Sequence, residues 1–186
     1  MIIFQKKRLP GKLIDLLKSI FTTNATSSTR NPLRKIGKRK TKTMGKCIVI
    51  KTDNTVTIED MPTGVDLCHF INDIVRWKGY DYFERVQFYS AKCQLWCNEA
   101  ALCLNPQPPI NRITTIICNN DIMYGGMCIT GLDNEKDGTV LPINKNIEEF
   151  GIRLINLINE DPKLEHPTTT DLIRLLVKNY KFKMFA

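Results

Sequence analysis

The apolar and polar positions of this chain divide it into recognisable elements. Cys47–Lys51 and Thr55–Glu59 are β-rich runs on either side of Thr52-Asp53-Asn54 and predict a hairpin. Over Val65–Trp77 the positions Val65, Leu67, Cys68, Ile71, Ile74 and Val75 follow helical spacing, with Gly79 as the stop. Phe83–Ala91 alternates in part, through Phe83, Val86 and Phe88, and predicts a strand. Lys92–Cys97 predicts another. Asn105-Pro-Gln-Pro-Pro109 is a rigid loop, because proline fixes φ and removes a donor. Ile113–Cys118 and Ile122–Thr130 are apolar runs punctuated by Gly125-Gly126 and Gly131, and the glycine pair reads as a strand kink or bulge. Asp133–Gly138 is a polar turn before a last strand at Thr139–Ile143. Two amphipathic helices follow. Asn146–Asn159 carries Ile147, Phe150, Ile152, Leu154, Ile155 and Ile158, and Thr170–Lys181 carries Leu172, Ile173, Leu175, Leu176 and Tyr180. Asp161-Pro162 and His166-Pro167 separate them, with Thr170 and Asp171 as caps. Strands first and helices last predict an α+β fold: a small mixed or antiparallel sheet packed against helices, two of them C-terminal. No internal repeat is present.

The residues before this body have a different pattern. Leu13, Ile14, Leu16, Leu17, Ile20 and Phe21 predict an amphipathic helix over residues 11–21, and Thr22–Thr29 is a linker. Residues 30–46 are basic at eight of 17 positions and acidic at none. Self-repulsion and the lack of apolar surface predict a disordered basic tail. Residues 1–46 hold 13 Lys/Arg against one acid, Asp15, while residues 47–186 hold 14 against 18. The net charge of +8 is therefore a basic leader, residues 1–46, on a mildly acidic domain, residues 47–186. Met44 follows the basic run, and translation from it would remove the leader.

Composition sets the class. A hydrophobic fraction of 42% and a charged fraction of 25% belong to a globular protein. No apolar run approaches the roughly 18–20 residues of a membrane span. Lys12, Asp15 and Lys18 interrupt the leader, which lacks the apolar centre of a secretory signal. Its basic, acid-poor, Ser/Thr-rich character is closer to a mitochondrial presequence. Seven cysteines, several inside apolar runs, point to reduced core thiols and an intracellular, non-secreted protein. The sequon Asn24-Ala25-Thr26 then has no role.

Candidate chemistry is sparse. Cys93, Cys97 and Cys103 form the densest thiol cluster, but there is no C-x2-C, and His69 and His166 are remote from each other. On a strand Cys93 and Cys97 share a face about 13 Å apart, too far to share an ion. Cys68-His69 are adjacent, but neighbours on a helix diverge by about 100°. No nucleophile elbow, Walker loop or dinucleotide fingerprint appears, so no cofactor is implied. A thiol-dependent enzyme is the least favoured reading. The basic run is the strongest signal. Arg34, Lys35, Lys38, Arg39, Lys40 and Lys42 are expected to neutralise phosphates without reading bases, since the run has no aromatic to stack on them. With the helix over 11–21, an acidic membrane surface is a competing partner. A second expectation is a binding module for a host protein or a small anionic, nucleotide-like ligand. It would use Asn98, Glu99, Asn111 and Arg112, the last being the natural partner for phosphate or carboxylate.

One stretch carries a resemblance. Cys97-Asn-Glu-Ala-Ala-Leu-Cys-Leu-Asn-Pro-Gln-Pro-Pro-Ile-Asn-Arg112 is followed by Asp121-Ile-Met-Tyr-Gly-Gly-Met-Cys-Ile-Thr-Gly131. Together they resemble the domain of unknown function 3846 family, small proteins of phages, mobile elements and some large DNA viruses. Asn98, Glu99, Leu102, Pro109, Asn111, Arg112, Asp121, Ile122, Gly125 and Gly131 occupy matching positions, and Ile48–Thr52 with Val56–Ile58 is similar to the family's first hairpin. Ala100-Ala101 replaces the usual glycine-bearing turn, and Asn105–Pro108 lengthens the loop. The resemblance covers roughly residues 47–143 and implies a small α+β fold and a viral or mobile-element origin. It implies no activity.

Overall fold

The computed structural model describes residues 45–79 and 83–182. The chain divides into two units, Met1–Arg39 and Lys40–Ala186, and all the described residues belong to the second. The predicted leader helix, linker and residues 30–44 of the predicted disordered tail, with Arg34, Lys35, Lys38, Arg39, Lys40 and Lys42, lie outside the described residues, whereas Gly45 and Lys46, the last two residues of that tail, are in a strand.

Five strands form one antiparallel sheet: β1 Gly45–Ile50, β2 Val56–Met61, β3 Phe83–Phe88, β4 Cys93–Asn98 and β5 Met127–Gly131. Their order is β2-β1-β5-β4-β3. The first hairpin forms where the sequence predicts it, with Ile48 opposite Ile58. Its turn closes because Asp53 Oδ1 accepts the Thr55 N–H at 2.9 Å and Asn54 takes the left-handed φ of 67°. A second hairpin, β3–β4, turns through Tyr89–Lys92 and pairs Val86 with Leu95. β5 joins the two, with Ile129 beside Ile48 on one side and Leu95 on the other.

The pleat sends alternate residues to two cores. On one face, helix α1 (Val65–Val75) lays Leu67, Ile71 and Val75 over Cys47, Val49, Met61, Trp96 and Cys128. On the other, Ile48, Ile50, Phe88, Leu95, Met127 and Ile129 meet three helices: α2 (Arg112–Ile117), α3 (Lys145–Glu160) and α4 (Pro167–Asn179). Covering both faces explains the unbroken apolar strand Cys47-Ile-Val-Ile50. α3 turns Ile147, Phe150, Leu154 and Ile158 inward. It approaches the sheet closely at Gly151, where a Cβ would come within 2.8 Å of Ile48 Cδ1. Behind α4, Phe182 stacks on Phe150 at 4.5 Å and meets Phe88 edge-on at 5.3 Å, fixing the end of the helical pair to the sheet.

Several expectations change. The apolar run Ile113–Cys118 is helix α2, because Asn111 caps it by accepting the Thr114 N–H. Gly125-Gly126 lies just before β5, not within a strand, and Gly126 serves a close approach to the end of α1. Thr139–Ile143 makes one isolated bridge, Val140 to Asp133, and no strand. α1 ends at Val75, where Arg76 turns extended, before Gly79 is reached. Thr170 and Asp171 do not cap α4. Pro167, with φ already set for a helix, starts it earlier, and Asp171 pairs with Arg174 at 2.9 Å. Among the described residues no helix is long and apolar enough to cross a membrane.

Candidate functional site

The polar loop residues gather at one junction, centred on Gly125-Gly126. Gly126 abuts the end of α1 so closely that a Cβ would fall 2.2 Å from the Ile74 carbonyl oxygen, and Gly125 adopts φ 83°. Asn98, at the end of β4, donates from Nδ2 to the Val75 carbonyl at 3.2 Å, while its Oδ1 accepts the Ala100 N–H at 3.0 Å. Asn111 donates from its Nδ2 to the carbonyls of Ile50 at 3.1 Å and Gly125 at 3.0 Å. The two asparagines therefore hold main-chain carbonyls on neighbouring segments of the junction, one on α1 and one beside Gly126. Trp77 Nε1 donates to the Pro106 carbonyl at 3.1 Å and adds the proline loop to it.

The four residues expected to receive an anion are differently placed. Asn111 is 0% exposed, so its amide is sealed in the fold. Asn98 is 4% exposed. Glu99 points to solvent. Arg112 begins α2 and donates to the carbonyls of Lys163 at 2.6 Å and Leu164 at 2.9 Å. Its guanidinium thus ties α2 to the loop between α3 and α4. That loop is also clasped by Asp161, whose two oxygens accept the backbone N–H groups of Glu165 at 3.1 Å and His166 at 3.0 Å. Burial pushes the Asp161 carboxyl up, but hydrogen bonds from His166, Glu165 and Thr169 outweigh it and hold the pKa below the usual carboxylate value.

The seven cysteines form no disulfide, and five of them are buried. Cys93 and Cys97 lie on one face of β4, as alternation predicts. Burial pushes the thiols of Cys93 and Cys118 up to about 12. Burial, with Glu84 beside it, pushes that of Cys97 higher still. On the α1 face, a hydrogen bond with Cys47 and then burial raise Cys128. The thiol of Cys68, exposed on α1 beside His69, is also raised by burial. Raised thiols are protonated at neutral pH, the opposite of what a cysteine nucleophile needs. Among the described residues no three His, Cys, Asp or Glu side chains are grouped to hold a metal ion.

A polar cluster that sequence reasoning missed lies on the α1 face of β3 and β4. Arg85 pairs with Asp133 and sits 5.9 Å from the Trp96 ring, while Gln94 Nε2 donates to Asp133 at 2.9 Å. Trp96 Nε1 donates to Thr130 Oγ1 at 2.9 Å. The available signal was Arg85 sharing a strand face with Phe83, which marks a charge facing a partly apolar surface. Its partner comes from the distant loop after β5, which no local pattern announces. The arrangement closes that loop over the sheet.

The surface of the described residues includes shallow concavities. One, of about 170 Å³, lies where Asp53–Val56 meets Ile155, Ile158 and Pro162. Another, of about 320 Å³, runs between α3 and α4. Both are smaller than or at the low end of usual small-molecule sites. In comparisons with known proteins, no family model, no curated protein and no solved structure matches this chain.

Proposed function

We propose that the protein is a non-enzymatic accessory protein of a virus or mobile element that binds nucleic acid without sequence preference through its basic tail. One observation carries the reading: residues 1–46 hold 13 Lys/Arg against one acid, while residues 47–186 hold 14 against 18. An acidic body repels a polyanion, so affinity falls to the tail. There Arg34, Lys35, Lys38, Arg39, Lys40 and Lys42 each neutralise a phosphate and release a counterion. Lys46, which ends the run, pairs with Glu148 of the body at 2.7 Å. The viral or mobile-element origin rests on the resemblance of residues 47–143.

The test measures binding of the full chain to a fluorescent duplex as salt is varied. A variant with those six residues changed to Gln is compared. The wild type should show a steep log–log salt slope, and neutralising six contacts should reduce its magnitude by up to about 5. An unchanged slope, or binding to anionic vesicles with none to the duplex, overturns the reading.

A further inference from the structure

α3 and α4 bury one side against the sheet and leave a groove between their outer flanks. The groove is lined by Leu157, Leu172, Leu175 and Leu176, with Leu172 and Leu175 exposed at 43% and 54%. On the α3 flank the apolar floor lies between two exposed charges of opposite sign, Arg153 and Glu160. Neither has an ion-pair partner among the described residues. They stand seven residues apart, two helical turns or about 10.5 Å, and so occupy one face of the helix.

This pattern matches itself when reversed. A two-fold axis perpendicular to α3, passing beside it level with Asn156 and Leu157, lays a second α3 antiparallel against the first. Arg153 of each copy then meets Glu160 of the other, and Leu157 lies next to the axis. Leu172 and Leu175 of each α4 cover the remaining apolar edge. We infer that this groove receives a second copy of the same chain in an isologous two-fold dimer. Within the groove lining, Arg153 and Glu160 are one charge of each sign, so the lining is complementary to itself under this axis. The face is small. α3 has 16 residues and α4 has 13. A helix of that length spans roughly 24 Å and a pair is about 20 Å wide, giving roughly 480 Å² per partner, below the roughly 800 Å² of a tight complex. The dimer is therefore weak, with a dissociation constant in the micromolar range or above.

Sedimentation velocity on the full chain tests this over about 1–200 µM protein. The wild type should shift from monomer to dimer with concentration. Arg153→Glu alone, or Glu160→Arg alone, should weaken association at least tenfold, because each places like charges against each other. Combining Arg153→Glu with Glu160→Arg should restore it. Both substituted positions are exposed, and circular dichroism checks that each variant stays folded. A wild type that stays monomeric, a dimer indifferent to the single changes, or a double variant as weak as the singles overturns the inference.

Discussion

Asn111 joins a helix, the end of a strand and a loop through one amide. It is fully buried, caps α2 through its oxygen, and donates to the carbonyls of Ile50 and Gly125. Replacing it with Ala leaves two buried acceptors without partners and removes a cap. Asn111→Ala should therefore lower unfolding free energy by about 2–4 kcal/mol in chemical denaturation. Asn111→Asp keeps the cap but aims a charge at two carbonyls, and should be no more stable. Asp161 shows the same principle with a titratable group. Its folded pKa lies below the ordinary value, so it contributes stability above an unfolded pKa of about 4 and loses it as pH falls through that value toward the folded one. Asp161→Asn should destabilise at pH 7, and its difference from wild type should shrink below about pH 4. A difference that grew on acidification would contradict the assignment. In the sequence, Asn111 and Arg112 stood out as polar residues after a proline loop, which marks exposed ligand sites and buried linchpins alike. Their hydrogen-bond partners, Ile50, Gly125, Lys163 and Leu164, are remote in the chain, so the distinction was not legible there.

Among the elements, those with one strong period were readable and those whose type depends on a distant partner were not. α3 is legible from Ile147, Phe150, Leu154 and Ile158, and the first hairpin from its β-branched runs around a polar turn. α2 was not typed, because Ile113-Thr-Thr-Ile-Ile117 is β-branched yet too short for periodicity to decide. Its capping asparagine and the packing against α4 override propensity. The glycine pair before β5 was visible, but its reason was not: Gly126 is required by the Ile74 carbonyl, which only the fold brings near. Gly126→Ala should force that backbone contact apart and lower the unfolding midpoint measurably. Phe150, 0% exposed and in contact with Tyr180 and Phe182, carries more of the core. Phe150→Ala should cost about 3–5 kcal/mol, several times the effect of Leu175→Ala on the exposed flank of α4.

At the scale of the molecule, the sequence made the class clear but not the topology. An α+β body with two C-terminal helices follows from the element order. The sheet order β2-β1-β5-β4-β3 does not, because the β1–β5 pairing joins residues separated by three strands' and two helices' worth of chain. The separation of charge from core is read from the sequence alone. The described core draws on residues from Cys47 to Phe182, and the six basic residues proposed to bind phosphate lie outside the described residues. Those side chains also bring no apolar area that would stabilise the fold. Changing Arg34, Lys35, Lys38, Arg39, Lys40 and Lys42 to Gln should therefore leave the thermal unfolding midpoint within about 2 °C of wild type, a shift worth well under 1 kcal/mol. The same variant should lose most of its affinity for duplex DNA at low salt. A midpoint that dropped by several degrees would mean the tail charges contribute to the folded state, and loss of binding could then no longer be assigned to phosphate contacts alone.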